Sequence, residues 1–122
     1  MKEKRKFQRI RCGSKCSLTH CNITYLGRLV NISMDGALIG FNEGLVIPNN
    51  EKCVLTIYSD ELKTPLKSEV MVIHSNFTMV GIKFASEDVK VRKALDCLIH
   101  CLVTKEGDWD KETTLFYRER EG

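Results

Sequence analysis

The chain has 122 residues, of which 43% are hydrophobic and 29% charged, with a formal net charge of +3. That is ordinary for a single soluble globular domain. No apolar run approaches the roughly 20 residues that a membrane helix needs; stretches such as 70–73 and 98–103 fall far short. The basic start is not followed by the apolar core of an export signal, so a cytoplasmic protein is expected.

The charge is unevenly placed. Residues 1–11 hold Lys2, Lys4, Arg5, Lys6, Arg9 and Arg11 against Glu3, a local +5 that leaves −2 for residues 12–122. The positive charge is thus an arm on a slightly acidic body. The six cysteines are Cys12, Cys16, Cys21, Cys53, Cys97 and Cys101. A reducing compartment argues against a disulfide framework. No CxxC pair is present, so the thiols read as small buried hydrophobes rather than zinc ligands. Cys97 and Cys101 stand one helical turn apart and are the pair best spaced to share a ligand.

In chain order, residues 1–8 show no apolar periodicity and are expected to be mobile until something binds. Phe7 and Ile10 would anchor the arm to the body. Residues 15–19 alternate loosely, with Cys16 and Leu18 facing inward, and Asn22 permits a turn. Residues 24–32 form a second strand rich in β-formers, with Tyr25, Leu26, Leu29, Val30 and Ile32. Asp35-Gly36 is a turn dipeptide in which glycine would supply a positive φ. Short strands follow at 37–41 and 52–58, the latter alternating Cys53, Leu55 and Ile57 against Lys52, Val54, Thr56 and Tyr58. Longer strands follow at 66–74 and 79–84, with the bend near Asn76 and His74 as a half-buried structural residue. Ser86 is placed to cap a helix, with Glu87 and Asp88 in its first turn. Val91, Ala94, Leu95, Leu98, Ile99 and Leu102 recur at helical spacing to about Lys105. Gly107 is the expected stop. Strands of this length and spacing imply a small antiparallel barrel, with the helix covering an open end or side.

Two short motifs carry binding chemistry. Arg5 and Arg9 stand i and i+4. A guanidinium is planar, permanently charged, and able to grip a phosphate or the O6/N7 edge of guanine with two hydrogen bonds. Alone, such a pair is equally a solvated basic terminus. Asn31 and Ser33, if extended, share one face. They offer an amide and a hydroxyl beside Gly36, which would let a backbone or ligand approach closely. Alone, this segment is equally a hydrogen-bonded polar turn.

Together, Arg5-Lys6-Phe7-Gln8-Arg9 and Asn31-Ile32-Ser33-Met34-Asp35-Gly36 resemble the two-part RxxxR and [D/N]xSxxG signature of PilZ domains. Val80-Gly81-Ile82-Lys83-Phe84 resembles that family's last core strand before its helix. The resemblance spans about residues 4–104. It implies an all-β fold with a C-terminal helix, a six-stranded antiparallel β-barrel with a flexible basic N-terminal arm, acting as a receptor for cyclic di-GMP. The expected parts are a ligand-binding arm at 1–11, the barrel at 12–85, the helix at 86–106 and a charged tail at 107–122. On this likeness Arg5 and Arg9 would hold phosphates and a guanine edge, Asn31 and Ser33 would hydrogen-bond the bases, and Gly36 would give turn geometry and clearance. Asn31 stands where Asp is common and presents a neutral acceptor, which leaves related cyclic dinucleotides in play. Lys4 precedes the arginine motif where the family tunes ligand number. Arg11 is either a third phosphate contact or a solvated strand-start residue.

The expected role is a non-enzymatic effector without a cofactor, coupling nucleotide binding to a surface that meets a downstream protein in motility, adhesion or exopolysaccharide output. A second reading is an adaptor that works through protein contacts with weak or no nucleotide binding. A third is a barrel for single-stranded nucleic acid. Such barrels interleave aromatics with basic residues, and the arm has only Phe7, so a nucleic-acid polymer is the least expected partner. His20, His74 and His100 are scattered, so no nucleophilic site is expected.

Overall fold

The computed structural model describes residues 9–109, and side chains as far as residue 104. Its strands are β1 (Ile10–Arg11), β2 (Lys15–His20), β3 (Ile23–Ile32), β4 (Gly36–Phe41), β5 (Lys52–Tyr58), β6 (Leu66–Asn76) and β7 (Met79–Phe84), followed by the helix α1 (Val89–Trp109). All pairings are antiparallel. Running β3-β2-β5-β6-β7-β4 and back to β3, six strands close into a barrel. Closure satisfies both edges of every strand in the ring, which removes the exposed edge that an open sheet must protect.

Alternation sets the inside. β5 is the clearest case, with Cys53, Leu55 and Ile57 buried between the exposed ends Lys52 and Tyr58. Leu18, Leu29, Ile39, Val70, Val72, Val80 and Ile82 meet them in one core. Leu45 and Ile47, from the long loop after β4, are also buried there. The helix packs against β6 and β1. Leu95 and Leu98 are fully buried, with Val91, Ala94, Ile99 and Leu102 packed beside them. Each such leucine contributes about 2 kcal/mol of burial, enough to fix which face of the helix meets the barrel.

Several details depart from expectation. The end of the arm is itself a strand: β1 pairs with β3 as Ile10↔Ile32 and Arg11↔Asn31. It lies on the edge of β3 that β2 occupies further along, since β2 pairs there with Ile23–Arg28 positions. The helix begins at Val89, and its cap is Asp88, whose carboxylate accepts the Lys90 amide at 2.8 Å. Ser86 instead accepts the amide of Asp88 at 3.1 Å, folding the approach to the helix. Gly107 does not end the helix, which continues to Trp109. The bend between β6 and β7 follows Asn76 as expected, at Phe77 with φ of 55°. His74 is exposed rather than half-buried, and its ring lies over Gly81, where a Cβ would stand 2.8 Å from the imidazole. Of the cysteines, only Cys16 and Cys53 are buried; Cys21 and Cys97 are exposed. The expected tail lies outside the described residues beyond Trp109. Among the described residues, no helix is long and apolar enough to cross a membrane.

Candidate functional site

The site grows from an irregularity in β3. Against β4, the register shifts between Leu29 and Asn31, so that Val30 is an extra residue. Such a bulge breaks the strict alternation of a strand and re-aims the side chains beside it. Leu29 and Ile32 are therefore both buried, although three apart, while Val30 and Asn31 are both turned away from the core. Asn31 is flanked by Arg11 of β1 on one side and Leu38 of β4 on the other.

Arg9 completes the arrangement. Its Nη1 donates to Oδ1 of Asn31 at 3.1 Å, across 22 positions of sequence. The second arginine of the RxxxR motif and the first residue of the NxSxxG motif thus meet directly. Both are partly buried, and a hydrogen bond from a charged donor holds more firmly there than in open water. Arg11 is exposed next to them. Arg5 and Lys4 lie outside the described residues.

Ser33 and Gly36 occupy the turn that follows, and their geometry differs from expectation. Alternation fails at Ile32 and Ser33, which are both buried, so Asn31 and Ser33 do not share an exposed face. Ser33 is only 1% exposed, and its hydroxyl accepts the amides of Asp35 at 3.1 Å and Gly36 at 3.2 Å. Its own amide donates to the Gly36 carbonyl at 2.8 Å. The turn is also tied to β7, because the Phe84 amide donates to the Asp35 carbonyl at 3.0 Å. Gly36 does not have a positive φ. Its need for glycine is steric: a Cβ would lie 2.3 Å from the carbonyl oxygen of Ile82. The clearance required at Gly36 is toward strand β7. The bulge at Val30 and the tie through Asp35 leave no mark in residue type; the need for glycine at position 36 is steric rather than a matter of φ.

The cysteines and histidines form no rival centre. Burial, and then the neighbouring Cys12 thiol, push the Cys16 thiol up to about 12. Burial raises Cys53 as well, with help from Glu51 and Cys21. Both are thereby held as unreactive neutral thiols. At the β2–β3 hairpin, His20 Nε2 meets both Glu51 Oε1 at 2.9 Å and Cys21 Sγ at 3.6 Å. One ring nitrogen serves both contacts, so the imidazole cannot relay a proton between them as it does in a nucleophilic triad. Among the described residues, no group of three or more His, Cys, Asp or Glu is arranged to hold a metal ion.

Comparison with solved structures supports the architecture. The PilZ domain of YcgR from Escherichia coli, solved with c-di-GMP, superposes with a TM-score of 0.76 at 13% identity, covering 90% of this chain and 99% of that one. The Klebsiella MrkH–c-di-GMP complex gives 0.73 at 13% identity, over 90% of this chain and 57% of that one. The Bacillus subtilis inhibitor of motility MotI/DgrA gives 0.68 at 18% identity, over 89% and 55%. The chain thus corresponds to little more than half of the last two. No curated protein matches the chain at the sequence level. The PilZ domain family model matches residues 3–100, and the chain belongs to the PilZ family.

Proposed function

We propose that this domain is a receptor for cyclic di-GMP, with Arg5, Arg9 and Asn31 as direct ligand contacts and Ser33 and Gly36 as the residues that shape the turn beneath them. The observation that carries the reading is the Arg9–Asn31 hydrogen bond, which joins two motifs 22 positions apart at one point on the barrel wall. YcgR and MrkH, both similar in fold, are solved with this nucleotide.

The chemistry is that of exchange. Arg9 donates to a neutral amide oxygen of Asn31. A phosphate or a guanine edge offers the guanidinium a charged or two-point acceptor, which is the stronger partner. Arg9 then passes to the nucleotide, and the amide of Asn31 is released to meet a base. Lys4 and Arg11 add positive charge beside the anion. Closure of the arm tightens β1 on β3, and because α1 packs against β1, it bears on the helix as well. The nucleotide thereby changes the surface offered to a downstream protein. Ser33 contributes through the turn, because its hydroxyl already serves the amides of Asp35 and Gly36.

Titration calorimetry with cyclic di-GMP tests this. Arg9→Ala is expected to abolish measurable heat, and Arg5→Ala to weaken binding by about 2 kcal/mol, the usual cost of losing a charged hydrogen bond to a desolvated anion. Unchanged heat in the double alanine variant would remove the assignment. The adaptor reading, in which protein contacts matter more than nucleotide, is favoured by the exposed Leu26 and Val30 on the outer wall.

A further inference from the structure

The outer wall carries a row of residues in register across five strands. Tyr58 pairs with Lys15, Lys15 with Arg28, Arg28 with Gly40, and Gly40 with Met79. At about 4.8 Å per strand the row is roughly 19 Å wide. Two features of it are unfavourable for an isolated domain. Lys15 and Arg28, both exposed, are like charges directly opposed on neighbouring strands, a pairing that destabilises a sheet. Around them stand large apolar side chains left open to water: Leu26 is 76% exposed, Tyr58 46% and Val30 39%.

The surface is concave rather than flat. Gly40 leaves a notch between Val30 and Met79, whose side chains each lie 3.5 Å from where its Cβ would be. Leu26, Val30, Tyr58 and Met79 line a groove of about 560 Å³, and its only charged lining residues are Lys15 and Arg28. We propose that this groove docks a protein segment with an apolar stripe and an acidic rim, such as one face of an amphipathic helix. The acidic rim would neutralise the opposed cations, and the stripe would cover the apolar residues. A concave groove with two cations suits a helix better than a lipid surface, which is met by protruding side chains and broad basic patches.

The groove also borders the arm. The Val30 carbonyl accepts the Cys12 amide at 3.1 Å, and Arg28 Nη1 donates to the Gly13 carbonyl at 2.9 Å. Cys12 and Gly13 directly follow β1. Control of the groove by cyclic di-GMP rests on the receptor reading above; the groove's own chemistry does not.

The probe is a labelled synthetic helical peptide with a leucine stripe flanked by glutamates, with a lysine-flanked version as control. Fluorescence anisotropy and amide shift mapping on the full chain are the readouts. The glutamate peptide is expected to bind about tenfold more tightly than the lysine peptide, with shifts centred on Lys15, Leu26, Arg28 and Met79. Leu26→Ser, at a largely exposed position, and Lys15→Glu, which replaces a like-charge pair with an opposite one, should each weaken binding at least about fivefold. Neither should alter the heat of cyclic di-GMP binding, so a failed groove and a failed nucleotide site are distinguishable. Gly40→Ala fits by ordinary contact and should weaken the peptide by filling the notch. Equal affinity for both peptides, or shifts elsewhere, would overturn the proposal. So would anionic vesicles that displace the glutamate peptide, a dimer dispersed by Leu26→Ser, or groove shifts on removing residues 110–122.

Discussion

At its start β3 is entered through Cys21 and Asn22; at its end it leaves through the turn from Ser33 to Gly36. The first turn is exposed, and both of its residues have positive φ, 51° and 67°. Its shape comes from backbone conformations that side-chain-bearing residues adopt reluctantly. The second turn has no positive φ. It is shaped from within by a buried hydroxyl accepting two amides, and from beside by strand β7. A loop that only reverses the chain tolerates strain at its tip. A loop that must hold Asn31 and Arg9 in one geometry is better fixed by contacts that solvent does not reach.

The sharpest way to break this contrast is Gly36→Ala. The new methyl would meet the Ile82 carbonyl oxygen, a backbone atom that can retreat only if β4 parts from β7. The expected loss in urea unfolding is about 3 kcal/mol. A loss of less than about 1 kcal/mol would mean that the strands yield and that the turn is not held from beside. Next is Ser33→Ala, which deprives two amides of their acceptor and should cost about 2 kcal/mol. Hydrogen exchange should quicken at Asp35 and Gly36, and unchanged exchange there would show that the hydroxyl does not hold the turn.

The wall between the turns supplies a pH test. Cys16 has its thiol raised to about 12, chiefly by burial, against an ordinary 9.0. The folded state therefore favours the protonated form more than the unfolded state does. That contribution is complete below pH 9 and is lost as pH rises toward 12. Between those limits the wild type should lose stability more steeply than Cys16→Ala, by up to about 1.4 kcal/mol per pH unit. Parallel curves would place the thiol in contact with water. The smallest effect is expected at the first turn. Replacing Cys21 with Asn and Asn22 with Gly gives the pair that accepts positive φ best, and should raise stability by about 0.5 kcal/mol. A decrease would mean that Cys21 contributes more through His20 than its backbone costs.

The barrel was legible where one periodicity governed a whole element. The alternation of β5 and the spacing of Leu95, Leu98 and Leu102 each follow from a repeating geometry that leaves a repeating mark. The motif residues were legible because their types are chemically special. The Val30 bulge was not, because a single extra residue changes which face is buried without changing composition. β1 was not, because two residues carry too little pattern, and their partner is another segment of chain. Ser33 was found by its hydroxyl, but where that hydroxyl points depends on the burial of Ile32 before it. Ser86 is recognisable as a capping type and Asp88 reads as a first-turn acid; that Asp88 caps instead follows from the path of the chain out of β7.

The two-residue strand β1 gives the domain an unusual freedom. The ring of six strands closes without it, so no rung of that ring is supplied by β1. Here β1 is an appendix to a finished circuit, laddered to β3 at Ile32 and Asn31 and packed against α1. Under the receptor function proposed above, the frame would stay as a fixed reference while the appendix recorded whether the nucleotide is bound, much as a pointer needs a dial that does not turn.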